Sequence, residues 1–166
     1  MLRPRFVVIA AILWAVAFAA TGCGGETHHT APKHRPKHIV LVHASLALGA
    51  FRRFILRPAR AEKLSSHGSQ AVDRGAAAAR FASRELTIAA RHARQSQRLR
   101  VLFGPFEVTA DKVRALGDAL SRHPSLAEIE AVDTILTRIA AAAKANGQRI
   151  IEASADRIAA AGGPRA

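Results

Sequence analysis

The sequence predicts an all-α fold, an antiparallel bundle of about four helices, two of them long and two shorter. Two observations support this. Along two long stretches, apolar or small residues recur at alternating spacings of three and four, as in helices packed lengthwise. No stretch shows the apolar–polar alternation of a half-buried strand. The chain has 166 residues, and the part after its N-terminal region suffices for one domain with one core.

The first helix of the bundle is expected to begin at His38, where the chain turns apolar. It is expected to end near Arg57, because the residue before a proline, here Pro58, disfavours helical geometry. A second transmembrane helix is the alternative for this apolar run. Arg52 and Arg53 interrupt the run, which favours a buried core helix.

A long second helix is predicted from about Gln70 to Arg100. Most residues along its packed face are small, so a partner helix can approach closely. We expect it to stop at 102–105, where Gly104 suits a left-handed cap and Pro105 prevents continuation. The predicted packed face consists of Val72, Ala76, Ala79, Ser83, Leu86, Ala90, Ala93 and Gln97.

A shorter third helix is expected to begin near Thr109, a plausible N-cap, and to end before Pro124. Val113, Leu116 and Leu120 form its apolar stripe.

The last helix is expected to start at a capping box formed by Ser125 and Glu128 and to run to about Ala161. Asn146-Gly147 is a turn signal in its middle. Because the heptad register continues through that pair, we favour a continuous helix over a break. Its predicted packed face is Ile129, Val132, Leu136, Ile139, Ala143, Asn146, Ile150 and Ala153.

The N-terminal region has the pattern of a secretory signal peptide. Two arginines, Arg3 and Arg5, precede an apolar run from Phe6 to Ala20. That run is shorter than the roughly 20 residues that cross a bilayer comfortably. Thr21-Gly22-Cys23 follows, and Cys23 is the only cysteine in the chain.

Residues 20–23 resemble the lipobox of bacterial lipoproteins, although that family favours leucine where this chain has Ala20. The resemblance implies cleavage before Cys23, a diacylglyceryl group on its sulfur, and a location on the outer face of the cell membrane. Cleavage after Ala19, which would release a soluble protein, and an uncleaved anchor are the alternatives. We therefore expect a signal peptide over 1–22, a lipidated cysteine and polar tether over 23–37, and the bundle over 38–166.

The chain is strongly basic, with 25 Lys and Arg against 12 Asp and Glu and a net charge of +13. Loss of Arg3 and Arg5 with the signal peptide would leave +11. Such a surface attracts anionic lipid or envelope polymers, although an arginine-rich composition is also the default of a high-G+C genome.

The chain has no tyrosine, and its one tryptophan precedes Cys23. This scarcity argues against base-stacking nucleic-acid sites. A helical protein partner is a further possibility.

Five arginines of the second helix are predicted to share one face: Arg80, Arg84, Arg91, Arg94 and Arg98. At 100° per residue they form a stripe about 80° wide and about 27 Å long. The only acid between Arg74 and Phe106 is Glu85, which lies off the stripe. The stripe predicts a surface for phosphates or carboxylates. The alternative is a solvated outer face opposite the packed one.

Histidines crowd the tether, and flexible His-rich tracts can capture zinc, copper or nickel. The candidate ligands are His28, His29, His34 and His38, although their spacing matches no closed metal motif.

No catalytic motif is recognisable, so we expect a non-enzyme without a cofactor. An enzyme with an unrecognised site and metal capture by the tether are the alternatives to a binding or envelope-structure module.

Overall fold

The computed structural model describes residues 36–64 and 70–165, which contain five helices and no strand. The first, α1, comprises Pro36–Phe51, a π-helical turn Arg52–Leu56 and a last turn Arg57–Arg60. The others are α2 (Gln70–Gln95), α3 (Phe103–Ala119), α4 (Leu126–Ala145) and the short α5 (Ala155–Ala160). The predicted all-α bundle is confirmed.

Neighbouring helices run antiparallel. His43 of α1 contacts Glu85 of α2, whereas Phe54, further along α1, lies against Gly75, which is earlier in α2. On its other side α2 packs against α3, with α4 lying across α1 and α3. Short connections between successive helices give this up-down arrangement directly.

The predicted packed faces of α2 and α4 lie largely in the core. Ala76 is only half-buried, however, and Gln97 lies exposed beyond the end of α2. The members confirmed as buried are Val72, Ala79, Ser83, Leu86, Ala90 and Ala93 in α2, and Ile129, Val132, Leu136, Ile139 and Ala143 in α4. The apolar stripe of α3, Val113, Leu116 and Leu120, is buried as well.

The prediction that α1 ends near Arg57 is wrong. Helical geometry continues through Pro58 to Arg60, because the preceding turn widens into a π-helix in which the Arg57 N–H bonds to the Arg52 carbonyl. Proline in a helix clashes with the carbonyl four residues earlier, here that of Phe54. A local π-helical turn is one way to relieve such a clash.

The boundary between α2 and α3 also differs from the prediction. The second helix ends at Gln95 and not near Arg100. Gly104 and Pro105 lie in the first turn of α3, and do not stop a helix there. A proline in the first turn forfeits only an N–H that has no helical partner. Thr109 is therefore no N-cap. It is buried, and its hydroxyl donates to the Pro105 carbonyl at 2.6 Å.

The predicted capping box at the start of α4 is confirmed. The Glu128 N–H donates to Ser125 Oγ at 3.3 Å, and the Ser125 N–H donates to Glu128 Oε2 at 2.7 Å. Hydrogen bonds from the Ser125 side chain and backbone hold the pKa of Glu128 below its ordinary value of 4.5. Because the folded pKa is lowered, the stability that this carboxylate adds is present above pH 4.5 and is lost as the pH falls through the folded pKa.

The prediction of one continuous last helix is wrong. α4 ends at Ala145, and Gly147 takes a left-handed conformation with φ of 69°. The N–H of Gln148 donates to the Ala143 carbonyl at 3.0 Å, and that of Gly147 to the Lys144 carbonyl at 2.9 Å. This is the Schellman pattern of a helix end.

After that turn the chain packs back on α1. The N–H of Ile151 donates to Ser45 Oγ at 3.1 Å, and that of Ala153 donates to the Ser45 carbonyl at 3.2 Å. Ala153 is buried there as part of a non-helical segment, and the exposed Asn146 is not part of the core. α5 follows, and Gly162 ends it at a φ of 79°.

By length and composition, residues Lys37–Arg60 of α1 could cross a membrane. However, 61% of their most apolar window is buried inside the domain, as in a core helix of a globular protein. Within this stretch, the Arg52 guanidinium donates to Asp133 Oδ1 at 2.7 Å and to Thr137 Oγ1 at 2.8 Å. These contacts explain how an arginine is held beside the core of the bundle.

Candidate functional site

An open groove of about 440 Å³ runs between α2 and α3 and collects three of the five predicted arginines. The small residues Ala79 and Gly117 meet at the contact between the two helices. Longer side chains on either side of this contact form the walls of the groove. Its lining residues are Arg80, Ser83, Arg84, Thr87, Ile88 and Arg91 from α2, with Arg114 and Asp118 from α3.

The groove is strongly cationic, with four guanidinium groups against the single carboxylate of Asp118. Within the described part of the chain, neither Arg80 nor Arg91 belongs to an ion pair. Arg114 reaches only Asp111, at 3.8 Å between two largely exposed side chains, and such surface pairs contribute little. Most of the positive charge is therefore available to a ligand.

Arg84 is held in place by two neighbours on its own helix. Its guanidinium lies 5.1 Å from the centre of the Phe81 ring, a favourable cation–π arrangement. Its Nε lies 3.3 Å from Glu85 Oε1. These contacts limit the rotamers of a side chain that otherwise loses much entropy on binding.

Glu85 offsets part of the charge of Arg84, but its carboxylate is buried and is shared with a histidine of α1. The side chain is 4% exposed, and its Oε2 lies 2.5 Å from Nδ1 of His43 on α1. The sequence analysis places Glu85 off the arginine stripe, yet its carboxylate still contacts one stripe residue, Arg84. The pairing with His43 could not be found from the sequence, since 42 residues separate the partners.

One buried hydroxyl lines the groove without a hydrogen-bond partner. Ser83 is 2% exposed, and its Oγ bonds to no other described residue. The neighbouring Thr87 hydroxyl donates to the Ser83 backbone carbonyl at 2.9 Å instead. An unsatisfied buried hydroxyl is costly.

The other two stripe residues lie outside the groove. The Arg94 guanidinium lies 5.5 Å from the centre of the Phe103 ring. Arg98 falls in the turn that follows Gln95, so it is not on the helical face that the sequence predicted. Arg114 is the cation that the sequence analysis missed. The available signal was its exposed position on the helix that runs antiparallel to the stripe.

The predicted lipidation site and most predicted metal ligands lie outside the described residues: Cys23, His28, His29 and His34. His38 is described and exposed, beside Leu41, Val42 and Arg149. No group of three or more potential metal ligands occurs within 36–64 and 70–165. Lipidation and metal capture therefore stay predictions.

Comparison of the chain with protein-family models, with curated proteins and with solved structures finds no match. The function must therefore be argued from the groove, the surface charge and the sequence pattern at the N-terminus.

Proposed function

We propose that the chain is an extracytoplasmic lipoprotein, tethered to the membrane through Cys23, whose helical domain binds anionic polymers of the cell envelope. The lipobox-type pattern of residues 1–23 supports the tether. The observation that carries the binding function is the α2–α3 groove, where two helices bring four arginines together with one carboxylate. The proposal is of a binding module and not of an enzyme.

The charge of the groove favours a ligand with repeated phosphates or carboxylates. A guanidinium group binds such anions through two parallel N–H donors. Arg80 and Arg91 are separated by 11 residues, or about 17 Å along the helix, so one small anion cannot meet both. A polymer that lies along the groove can do so, and it gains one charge-assisted contact for each arginine it meets.

The scarcity of acids around these arginines distinguishes the groove from an ordinary solvated face. A solvated face commonly mixes both signs of charge. Two exposed arginines elsewhere on this domain are paired in that way, Arg57 with Glu152 and Arg60 with Glu130. No described acid lies within ion-pair distance of Arg80 or Arg91, and both lie in one groove with two further arginines.

Replacing Arg80, Arg84 and Arg91 together by glutamine is expected to weaken binding of a glycerol-phosphate oligomer by roughly tenfold or more, because three charge-assisted contacts are lost. Binding by the compact unit of residues 34–166 can be measured by calorimetry at low salt, with neutral dextran as the ligand control. Parent binding should weaken steeply with salt, since the screening length falls from about 10 Å at 0.1 M to about 3 Å at 1 M.

The matched control replaces Arg122, Arg138 and Lys144, which are exposed and lie outside the groove. Their triple glutamine variant has the same net charge as the groove variant, and we expect it to keep most of the binding. Equal weakening by both variants would show attraction by net charge alone and would contradict a binding groove. Circular dichroism of each variant verifies that the helical fold is retained.

A further inference from the structure

One end of the bundle, which we call the tether end, is formed by the start of α1, the end of α2, the start of α3 and the end of α4. The antiparallel packing brings these four helix termini together. Arg94 near the end of α2 stacks on Phe103 at the start of α3. Arg149, just after α4, lines the same small pocket as His38 and Leu41 of α1. Pro36, the first described residue, therefore lies at this end.

The tether half of the domain is free of acidic residues over three long stretches. Segments 36–51, 86–106 and 134–151 contain no aspartate and no glutamate. They carry eight Lys and Arg residues: Lys37, Arg91, Arg94, Arg98, Arg100, Arg138, Lys144 and Arg149. The acids that border these stretches are Glu107, one turn into α3, and Glu152, which lines the pocket beside Arg149 and pairs with Arg57. Six acids lie toward the opposite end: Glu62, Asp73, Asp118, Glu128, Glu130 and Asp133.

The connection between α2 and α3 presents two of these arginines on a firmly anchored turn. Leu99 and Leu102 are buried, at 0% and 1% exposure, and fix the turn to the core. The Leu102 N–H donates to the Leu99 carbonyl at 2.9 Å. Arg98 and Arg100 consequently point outward. Val101, between them and Phe103, is 64% exposed, the most exposed large apolar side chain of the described residues.

We propose that the tether end docks on an anionic lipid bilayer, with Val101 at the level of the headgroups and Arg98, Arg100 and Arg149 on lipid phosphates. Basic residues next to an anionic leaflet are attracted to it, and an exposed apolar side chain among them adds a hydrophobic contact. The inference rests on the proposed membrane tether, since the tether would hold this end close to the bilayer. It does not rest on the α2–α3 groove, whose ligand binding is measured without lipid.

Docking in this orientation has a consequence for the groove. From Arg91 to Arg80 the groove runs away from the tether end along the side of the bundle. The domain would then stand upright on the membrane, with the groove open to polymer beside it. A domain tethered by a polar linker alone would have no fixed orientation.

A fluorophore that reports polarity, attached at Val101→Cys, tests the docking in the full chain. The diacylglyceryl group on the sulfur of Cys23 leaves the introduced cysteine as the one free thiol, and the lipidated chain is reconstituted into phosphatidylglycerol–phosphatidylcholine or pure phosphatidylcholine vesicles. We expect a blue shift, and quenching by spin-labelled lipid, in the anionic vesicles only. Both signals should disappear in 1 M salt, where screening acts over about 3 Å. The same label at Leu126→Cys, a partly exposed position at the opposite end, should show neither signal.

Two triple variants with equal charge loss decide whether the contact is specific. Replacing Arg98, Arg100 and Arg149 by glutamine should abolish the Val101 signal, since each cation near the surface contributes about fivefold in affinity. Replacing Lys63, Arg74 and Arg122 by glutamine, toward the other end of the bundle, should leave the signal. An equal response of the two variants, an equal signal in neutral vesicles, or no signal in anionic vesicles would overturn the proposal.

Discussion

Gly49→Ala is expected to destabilise the domain by about 1–3 kcal/mol, the usual cost of overpacking. A Cβ atom at position 49 would lie 2.5 Å from the carbonyl oxygen and 2.7 Å from the nitrogen of Ala153. These are backbone atoms that cannot move aside as a flexible side chain would. The Ala153 N–H also bonds to the Ser45 carbonyl, so the segment between α4 and α5 would have to leave α1.

The direction of the change in unfolding free energy is informative, because helix propensity alone predicts that Gly49→Ala stabilises the domain. Alanine is favoured over glycine in a helix interior by about 1 kcal/mol. Gly104 is the matched control, since it is also helical and a Cβ there would meet nothing within 4 Å. Gly104→Ala should be neutral or slightly stabilising. Urea unfolding followed by circular dichroism measures both, and a stabilising Gly49→Ala would show that the C-terminal segment does not pack on α1.

Leu136→Ala is expected to lower the free energy of unfolding by about 2–5 kcal/mol, as other buried leucine truncations do. Leu136 is 4% exposed and lies on the face that α4 turns to the rest of the bundle. Because α4 packs against α1 and α3, the cavity would open where these helices meet. A loss of this size is a large part of the stability of a domain of this size.

Leu126, at the start of the same helix, is the control for this truncation. It is 43% exposed, so Leu126→Ala removes less buried surface and should cost clearly less. Both substitutions conserve helix propensity, since leucine and alanine are strong helix formers. An unchanged unfolding midpoint for Leu136→Ala would mean that the predicted face of α4 is exposed to solvent and that the bundle is wrongly assembled.

The fold class was predictable from local pattern, and the helix boundaries were predictable only in part. The capping box at Ser125 was found because it is a signal contained within four residues. Pro58 and Pro105 were both misinterpreted, because a proline stops a helix or is accommodated in it according to the turn around it. A π-helical turn accommodates Pro58, and a first-turn position accommodates Pro105. The sequence alone does not distinguish these cases.

The helix break at Asn146-Gly147 was not predicted, because the heptad register that continues past this pair was given more weight than the turn signal of the pair itself. Ala153 fits that register and is buried, but it reaches the core through a non-helical segment fixed to Ser45. Burial at a register position therefore does not prove a helix. Contacts 100 or more residues apart in sequence, such as Ile151 with Ser45, decide the path of this segment.

Part of the candidate site could be predicted from the sequence. Helical angles predicted that Arg80, Arg84 and Arg91 share one face of a helix. They do share a face, because α2 is a regular helix through all three residues. Arg98 was misplaced because α2 ends before it. Arg114 enters the groove through packing of α3 on α2, which periodicity within one helix cannot show. Ser83 was assigned only to the packed face, and its unbonded hydroxyl became visible once its neighbours were known.

The mass of the protein extracted from its native membrane tests the proposed tether most directly. The account predicts a mature chain that begins at Cys23 and carries a diacylglyceryl group on the sulfur of that residue. Cys23→Ser should abolish the added mass, and the variant should accumulate as a precursor or as soluble protein. A native chain that begins at Ala20, or one that still carries its first 22 residues, with Cys23 unmodified in either case, would contradict the account.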